Sequence, residues 1–568
     1  MTAWLAANIA PVMFASLLLF LLTGFPVAFG LAATGIVFGF VAVEMGLAPA
    51  QFFNALPLRL YGIMSNDTLL AIPFFTFMGL ILERSRMAED LLETIGQVFG
   101  PMRGGLAIAV VLVGAMLAAT TGVVAASVIA MGLISLPIML RYGYNRPLAA
   151  GVITASGTLA QIIPPSLVLI VIADQLGRSV GDMYRAAFIP AFGLVAIYAV
   201  AVMAIAVVRP KWVPALPIEA RLFREASGSS GYASLSVLTG ASVLAGAVLF
   251  AYYPELLKAL GSTSEYAPPT DERVVMALMV TIAFALVVAL IDRGLGFNRL
   301  SQLARRVTFV LIPPLLLVFL VLGTIFLGIA TPTEGGAMGA AGALILAVLR
   351  KRLDFKLLKQ ALDSSARLSI FVVFVLIGST VFSLTFQAID GPHWVEALFT
   401  SLPGGQLGFL LFVNALIFLL GCFLDFFEIA FILLPLLAPV AEKLGVDLIY
   451  FGVMIGLVLQ TSFLTPPFGF ALFYLRSVAP KDAYVDTVTK ANVAPLSTVD
   501  IYKGSLAFVA LQVAMVAAVM IEPKIIMAGL GEQKVLDVEN VNINITAPDE
   551  EEEPPPALGG AAPTDKKD

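Results

Sequence analysis

Cysteine and histidine are almost missing: Cys422 and His393 are the only residues of their kinds in 568. An intramolecular disulfide, a cysteine-built zinc or iron–sulfur centre and a histidine-rich metal site are thereby excluded, and no transition metal is expected. Charge is scarce too, at 12% of residues against about 25% in soluble globular chains. With 60% hydrophobic residues and a mean hydropathy of +0.97, a soluble enzyme is excluded. Much of the net charge of −5 sits in the last twenty residues, around Asp549 to Glu553, so the body is nearly neutral. It lacks the basic patch that nucleic-acid binding needs. No Walker A sequence, glycine-rich nucleotide fingerprint or Ser-His-Asp arrangement occurs, so an ATP-driven pump would lack its engine within this chain. Energy must come from an ion gradient or another subunit.

What is present is apolar sequence in runs long enough to cross a bilayer, which takes about 20 residues each. They fall near 3–22, 27–46, 68–82, 147–175, 187–208, 233–252, 274–291, 309–328, 333–349, 367–389 and 504–521, with more complex stretches at 105–140, 406–440 and 448–475. The runs are continuous rather than alternating, which excludes a transmembrane barrel. The fold class is an all-α polytopic membrane protein. The first ten residues have no basic n-region and read as the start of a span, not a cleaved signal. Basic residues are expected on the cytoplasmic side: Arg84/Arg86/Arg103, Arg141/Arg146, Arg209/Lys211/Arg221/Arg224, Arg299/Arg305/Arg306, Arg350/Lys351/Arg352 and Arg476/Lys481. All can be cytoplasmic together only if 105–140 and 406–440 are re-entrant hairpins, the first opening inward and the second outward. Both termini are then outside. Residues 51–66 are polar enough to lie along the interface. The stretch 225–300 is a peripheral insertion whose two extra spans are joined by a loop holding Tyr253, Pro254, Glu265 and Asp271.

Two parts of the chain match at nearly constant offset. Pro26 and Pro332 stand 306 positions apart; Pro137 precedes Pro164-Pro165 by 27, and Pro439 precedes Pro466-Pro467 by the same 27, with Gly143 and Gly445 in register. The charge assignment makes the halves enter from opposite sides. An inverted repeat with broken helices at matching positions marks a secondary transporter. The expected organisation is a first repeat at 1–208 (hairpin 105–140, broken helix 147–175), an insertion at 209–300, a second repeat at 301–522 (hairpin 406–440, broken helix 448–475), and a disordered acidic, Pro-rich tail at 523–568.

Four motifs carry the chemistry. The first hairpin turns at Ala118-Ala119-Thr120-Thr121-Gly122, with Ser127 following; irregular backbone at membrane depth must be buried or line a polar cavity, and carbonyls with hydroxyls are hard oxygen ligands suited to Na⁺. The first break is Ile162-Ile163-Pro164-Pro165-Ser166, preceded by Ser156-Gly157-Thr158 and Gln161; paired prolines remove two donors and open the helix, leaving half-helix dipoles for an anion and a cation. The second half offers Gly421-Cys422-Phe423-Leu424-Asp425 and Gln460-Thr461-Ser462-Phe463-Leu464-Thr465-Pro466-Pro467. Asp425 and Glu428 are carboxylates in an apolar stretch, a functional signal by default; Glu428 either carries a proton or snorkels. Pro332, Thr333 and Glu334 read as a helix start, and His393 as an exposed loop residue in Gly-Pro-His-Trp.

Together these residues resemble the large membrane subunit of the tripartite ATP-independent periplasmic (TRAP) transporters, the DctM-like family. The likeness rests on Gly24-Phe25-Pro26-Val27, Ala71-Ile72-Pro73-Phe74-Phe75, the 118–127 turn, Gly143-Tyr144, Ile162-Ile163-Pro164-Pro165-Ser166, Ala330-Thr331-Pro332-Thr333-Glu334, Asp425, Phe451-Gly452 and Thr465-Pro466-Pro467-Phe468-Gly469. It covers nearly all the chain outside the insertion and the tail. The resemblance implies a bacterial inner-membrane location, a small four-helix membrane subunit and a periplasmic substrate-binding protein as partners, no cofactor, and Na⁺-coupled uptake of an organic acid by an elevator motion. The insertion and the Leu424–Glu428 and Gln460–Phe463 sequences look like the subgroup labelled mannitol/chloroaromatic. The family's first tip commonly reads Ser-Gly-Ser, where this chain has Thr120-Thr121-Gly122. Combining both readings, the expected sodium ligands are Thr120, Thr121, Gly122, Ser156, Ser166, Asp425 and Thr465. The expected substrate contacts are Ser127, Gln161, Pro165, Glu428, Gln460, Ser462 and Pro467, with no basic residue in either core motif to neutralise an anion. A monocarboxylate or 2-oxo acid is the preferred solute. The alternatives are proton coupling through Glu428, a secondary transporter that needs no binding protein, a membrane-embedded enzyme using Asp425 with Glu428, which has no second motif partner, and a passive channel.

Overall fold

The structure is a computed structural model that describes residues 2–221, 231–259, 268, 270–297, 299–400, 403–486 and 488–530. Glu265, most of the polar stretch 227–231, and the acidic tail from residue 531 lie outside them, as does the side chain of Asp271. Among the described residues nine helices are long and apolar enough to cross a membrane, and shorter or bent ones complete the set.

In the first repeat, α1 (Thr2–Ala7) and α2 (Ile9–Leu22) form an opening span interrupted at Asn8, and α3 (Val27–Glu44) starts at Pro26. A 3₁₀ turn (Ala50–Ala55) and α4 (Leu56–Met64) contain no buried residue, as an interfacial segment should. Next come α5 (Ala71–Arg84), α6 (Met87–Phe99), the pair α7 (Gly105–Thr121) and α8 (Val124–Arg141), the broken pair α9 (Arg146–Thr158) and α10 (Leu167–Gln175), and α11 (Val180–Val208). The insertion supplies α12 (Tyr232–Ala259) and α13 (Thr270–Gly294), packed on α14 (Gln302–Phe326). The second repeat continues with α15 (Pro332–Leu349), α16 (Phe355–Ala388), α17 (Gly391–Thr400), the pair α18 (Gly405–Leu420) and α19 (Phe426–Lys443), the broken pair α20 (Leu448–Leu464) and α21 (Phe470–Val478), α22 (Thr498–Ile521) and α23 (Lys524–Met527).

The repeat is visible at matched points. Gly143 and Gly445 both adopt positive φ, 77° and 75°, in the turn after their hairpin, and both Pro-Pro bonds, 164–165 and 466–467, are cis. The packing is crosswise: α8 lies against α21, and α19 against α10, so each hairpin touches the broken helix of the other repeat. Two groups result. The helices α3, α5, α14, α15 and α16 pack on one another, while α7 to α11 pack with α18 to α22. Between helices in lipid, close approach replaces the hydrophobic drive, and small residues provide it. A Cβ on Gly378 of α16 would lie 2.3 Å from the Ala28 carbonyl of α3, and one on Gly151 of α9 would lie 2.3 Å from the Gly504 carbonyl of α22.

Charged and polar contacts join segments distant in the chain. Asp90 of α6 gathers Arg306, Arg350 and Arg352 within 3.7 Å, so basic residues from two segments assigned to the cytoplasmic side converge. The ends of the first hairpin meet one strand of chain: Gly104 and Asn145 donate to the carbonyls of Val213 and Trp212. The second hairpin closes likewise at its base, Gln406 reaching the Gly445 carbonyl. Between α21 and α22 a two-residue ladder pairs β1 (Tyr484–Val485) with β2 (Asn492–Val493). Asp486 in that loop accepts from the Thr489 amide and hydroxyl and pairs with Arg141 at 2.8 Å. These contacts hold its carboxyl down at about 2.

Four expectations need correction. Tyr253 and Pro254 belong to α12, not to the loop between the extra spans; the Tyr253 hydroxyl bonds Glu272 of α13 at 2.7 Å and ties the two helices together. His393 is exposed but helical, because Gly391-Pro392 opens α17 and proline is tolerated in a first turn. The tail begins later than 523: α23 and the turn Ala528–Leu530 pack on α11, with Ile526 fully buried. Glu428 does not snorkel; it lies 8% exposed inside the protein.

Candidate functional site

Each hairpin tip meets broken helix and small residues. At the first tip α7 ends on Gly122, φ +59°, a left-handed position that favours glycine. A Cβ there would stand 3.0 Å from the Leu167 side chain at the start of α10, and one on Gly79 of α5 would stand 2.5 Å from the Thr121 Cα. The tip is therefore clamped between α5 and the break. Thr120, Thr121, Ser127, Ser156, Gln161 and Ser166 are all buried around it.

Hydrogen bonding decides what these groups can still do. Thr121 Oγ1 is 2.9 Å from the Leu117 carbonyl and 2.7 Å from Ser127 Oγ. A hydroxyl has one proton and two acceptor sites. If Thr121 donates to Leu117, the Ser127 proton goes to Thr121, which leaves both Ser127 lone pairs and one on Thr121 to face a cation. Ser156 donates to the Val152 carbonyl at 2.6 Å, and Ser166 bridges the break by donating to the Gln161 carbonyl at 2.8 Å; these oxygens also keep their acceptor sites. Both polar atoms of the Gln161 side chain are buried without a partner among the described residues. A dry unpaired amide costs on the order of 1–3 kcal/mol, so this is a position suited to a polar ligand.

The second tip differs. Asp425 is the N-cap of α19 and Glu428 its third residue, reaching back to accept the Asp425 N–H at 2.9 Å; this is the same capping arrangement that Thr331 and Glu334 make at the start of α15, beside Pro332, while Thr333 bonds the Asp67 carbonyl. Ser462 donates to the Leu459 carbonyl within α20, and Thr465, which caps the C-terminus of that helix, donates to the Thr461 carbonyl. Pro165 is buried and Pro467 exposed. The tip lines a cavity of about 830 Å³ shared with the Gly24–Phe29 turn and α16. The structure thus brings Thr121 and Ser127 together, and Asp425 with Glu428, as two separate clusters.

Gln460, an expected substrate contact, belongs to a buried polar centre whose other members, Tyr198 and Gln512, reading the sequence missed. Tyr198 of α11 accepts from Gln512 of α22 at 2.7 Å and from Gln460 of α20 at 3.4 Å, and Gln512 also reaches Thr158 of α9 at 3.3 Å. The amide oxygens of Gln460 and Gln512 have no partner among the described residues. Gln512 is the one amide in the otherwise apolar middle of α22, a signal available in the sequence. Arg367, on the α16 wall of the 830 Å³ cavity, was also missed.

The family described as "Tripartite ATP-independent periplasmic transporter, DctM component" matches residues 14–255 and 271–525. The C4-dicarboxylate TRAP transporter large permease protein DctM of Rhodobacter capsulatus is 26% identical over 470 residues, 83% of this chain and 90% of that protein. Its namesake in Pseudomonas aeruginosa is 28% identical over 75% of this chain and 81% of that protein. The isethionate TRAP transporter permease protein DctMQ of Oleidesulfovibrio alaskensis is 24% identical over 86% of this chain and 62% of that protein.

Proposed function

The chain belongs to the DctM family of TRAP transporters as a large permease subunit of the bacterial inner membrane, and from that premise we propose that it carries an organic anion inward by Na⁺-coupled secondary transport. A small membrane subunit and a periplasmic binding protein complete the system, the latter delivering the solute. The relatives' names point to acids, a C4-dicarboxylate and the sulfonate isethionate. A carboxylate or sulfonate is the matching solute class here.

One observation carries the sodium assignment: a buried hydroxyl pair, Thr121 with Ser127, at a hairpin tip pressed against a broken helix. Oxygens that have already spent their protons on helix carbonyls present only lone pairs to the site. A cation bound by Thr120, Thr121, Gly122, Ser156 and Ser166, with the Ser127 hydroxyl shared between it and the solute, would tie tip to break, and a second near Asp425 and Thr465 would do so in the other repeat. Each ion stabilises the closed, loaded form that moves, and that differential affinity is the coupling. The solute would lie between the breaks within reach of Ser127, Gln161, Pro165, Gln460, Ser462 and Pro467. The helices α7 to α11 and α18 to α22 form the moving part, sliding as an elevator against α3, α5 and α14 to α16.

The test is uptake of labelled succinate and isethionate into proteoliposomes holding the complete three-component system. An inward Na⁺ gradient should drive accumulation, and Thr121→Ala should abolish it. Accumulation driven by a proton gradient in K⁺ medium, and lost in Glu428→Gln, would replace sodium with H⁺.

A further inference from the structure

Arg367 stands 12 residues into α16, and with Ile370, Phe371 and Phe374 it makes an i, i+3, i+4, i+7 stripe that lines the 830 Å³ cavity. It lies seven residues, about 10 Å at 1.5 Å per residue, beyond Gln360, which bonds Arg84 at the cytoplasmic end of α5. It is the first residue of the apolar run 367–389 of α16, and it lines the cavity there. It is exposed to the cavity and, among the described residues, has neither a hydrogen bond nor an ion pair, even though Asp363 precedes it by one helical turn. The second hairpin tip, with Asp425 and Glu428, lines the same cavity. The α16 lining is therefore cationic and the hairpin lining carries carboxyl groups, and both contribute phenylalanine, Phe371 and Phe374 from α16 and Phe423 from the hairpin.

We propose that Arg367 is the acid-group receptor of the inward-opening cavity, taking the carboxylate or sulfonate of a solute as it leaves the second hairpin tip. The inference rests on the transport reading above and extends it to a residue on the non-moving wall. A planar guanidinium pairs two oxygens of an acid group at once, while the aromatic lining suits a solute whose remaining body is apolar. The carboxyl groups of the hairpin lining disfavour a second acid group at the other end. A monoanion with an apolar body thus fits this cavity better than a dianion.

Two readouts on the reconstituted three-component system test this. In the first, Ile370→Cys in a Cys422→Ala background is labelled by an anionic and by a cationic methanethiosulfonate; Arg367→Gln should lower the anionic-to-cationic rate ratio about tenfold, and an unchanged ratio overturns the proposal. In the second, uptake of isethionate and succinate is compared. Arg367→Gln should raise KM for isethionate at least tenfold, Arg367→Lys should recover part of the loss, and succinate should be affected less. Acid uptake by the parent chain that Arg367→Gln leaves unchanged refutes this inference alone. A parent chain that takes up neither acid under any ion gradient instead refutes the transport reading, and the labelling ratio still decides whether Arg367 sets the field of the cavity.

Discussion

Gly79→Ala probes the contact between the proposed scaffold and the proposed moving part at its tightest point. The added Cβ would meet the Thr121 Cα at 2.5 Å and the Thr120 carbonyl oxygen at 2.6 Å. Both are backbone atoms, which cannot swing aside as a side chain can. Overpacking of this kind costs about 1–3 kcal/mol, a factor of roughly 5 to 150 in a conformational equilibrium. The cost falls only on the arrangement in which the first tip rests on α5; a conformation that has slid away does not feel it. The substitution should therefore lower the melting temperature and raise the population of displaced conformers together. Thiol labelling of Ala119→Cys, a position 8% exposed beside the tip, reports that population in a Cys422→Ala background. Its rate should rise between about 5- and 150-fold. An unchanged melting temperature with an unchanged labelling rate would refute the reasoning, because it would mean that tip and α5 are not pressed together.

Gln512→Leu should lower the melting temperature by leaving the Tyr198 hydroxyl short of a partner, a loss of about 1–3 kcal/mol, whereas Gln512→Glu should make the loss pH-dependent; differential scanning fluorimetry separates the two. Gly122→Ala forces a side chain into a φ of +59° against Leu167, and reduced Na⁺ affinity with an intact fold by circular dichroism is the expected result. Asp486, held at about 2 by Thr489 and Arg141, contributes stability that is complete above the ordinary carboxyl range near 3.9 and lost as pH falls through 2. Hydrogen exchange of the 484–493 loop should thus stay constant from pH 7 to 4, after correction for intrinsic rates, and Asp486→Asn should raise it throughout that range.

The architecture was legible in sequence because its signals are local and periodic. Hydrophobic run length marks helices, Pro164-Pro165 and Pro466-Pro467 mark the breaks, and the placement of arginines demanded both hairpins, which Gly104, Asn145 and Gln406 then close at their bases. The Glu334 helix start follows from Pro332 and Thr331 alone. Of the two readings of Glu428, proton carrier or snorkelling side chain, burial removes the second; an acidic residue three positions after an Asp is a capping signature that the sequence already holds. The Tyr198–Gln460–Gln512 centre depends on three helices far apart in the chain meeting at one point, and no local pattern records that. Arg367 escaped notice because it lies outside the hairpin and break motifs, on a helix whose cavity-facing stripe is defined by what packs opposite it.

The central claim is that oxygens at the hairpin tips bind Na⁺, and thermal unfolding of the purified subunit with its small partner in Na⁺ against K⁺ at equal ionic strength tests it without knowledge of the solute. At 100 times its dissociation constant, a ligand specific to the folded state adds about 2.7 kcal/mol. A Na⁺-specific rise in melting temperature that Thr121→Ala removes is the predicted result. Equal melting in the two salts, with Thr121→Ala behaving the same in both, would contradict the account.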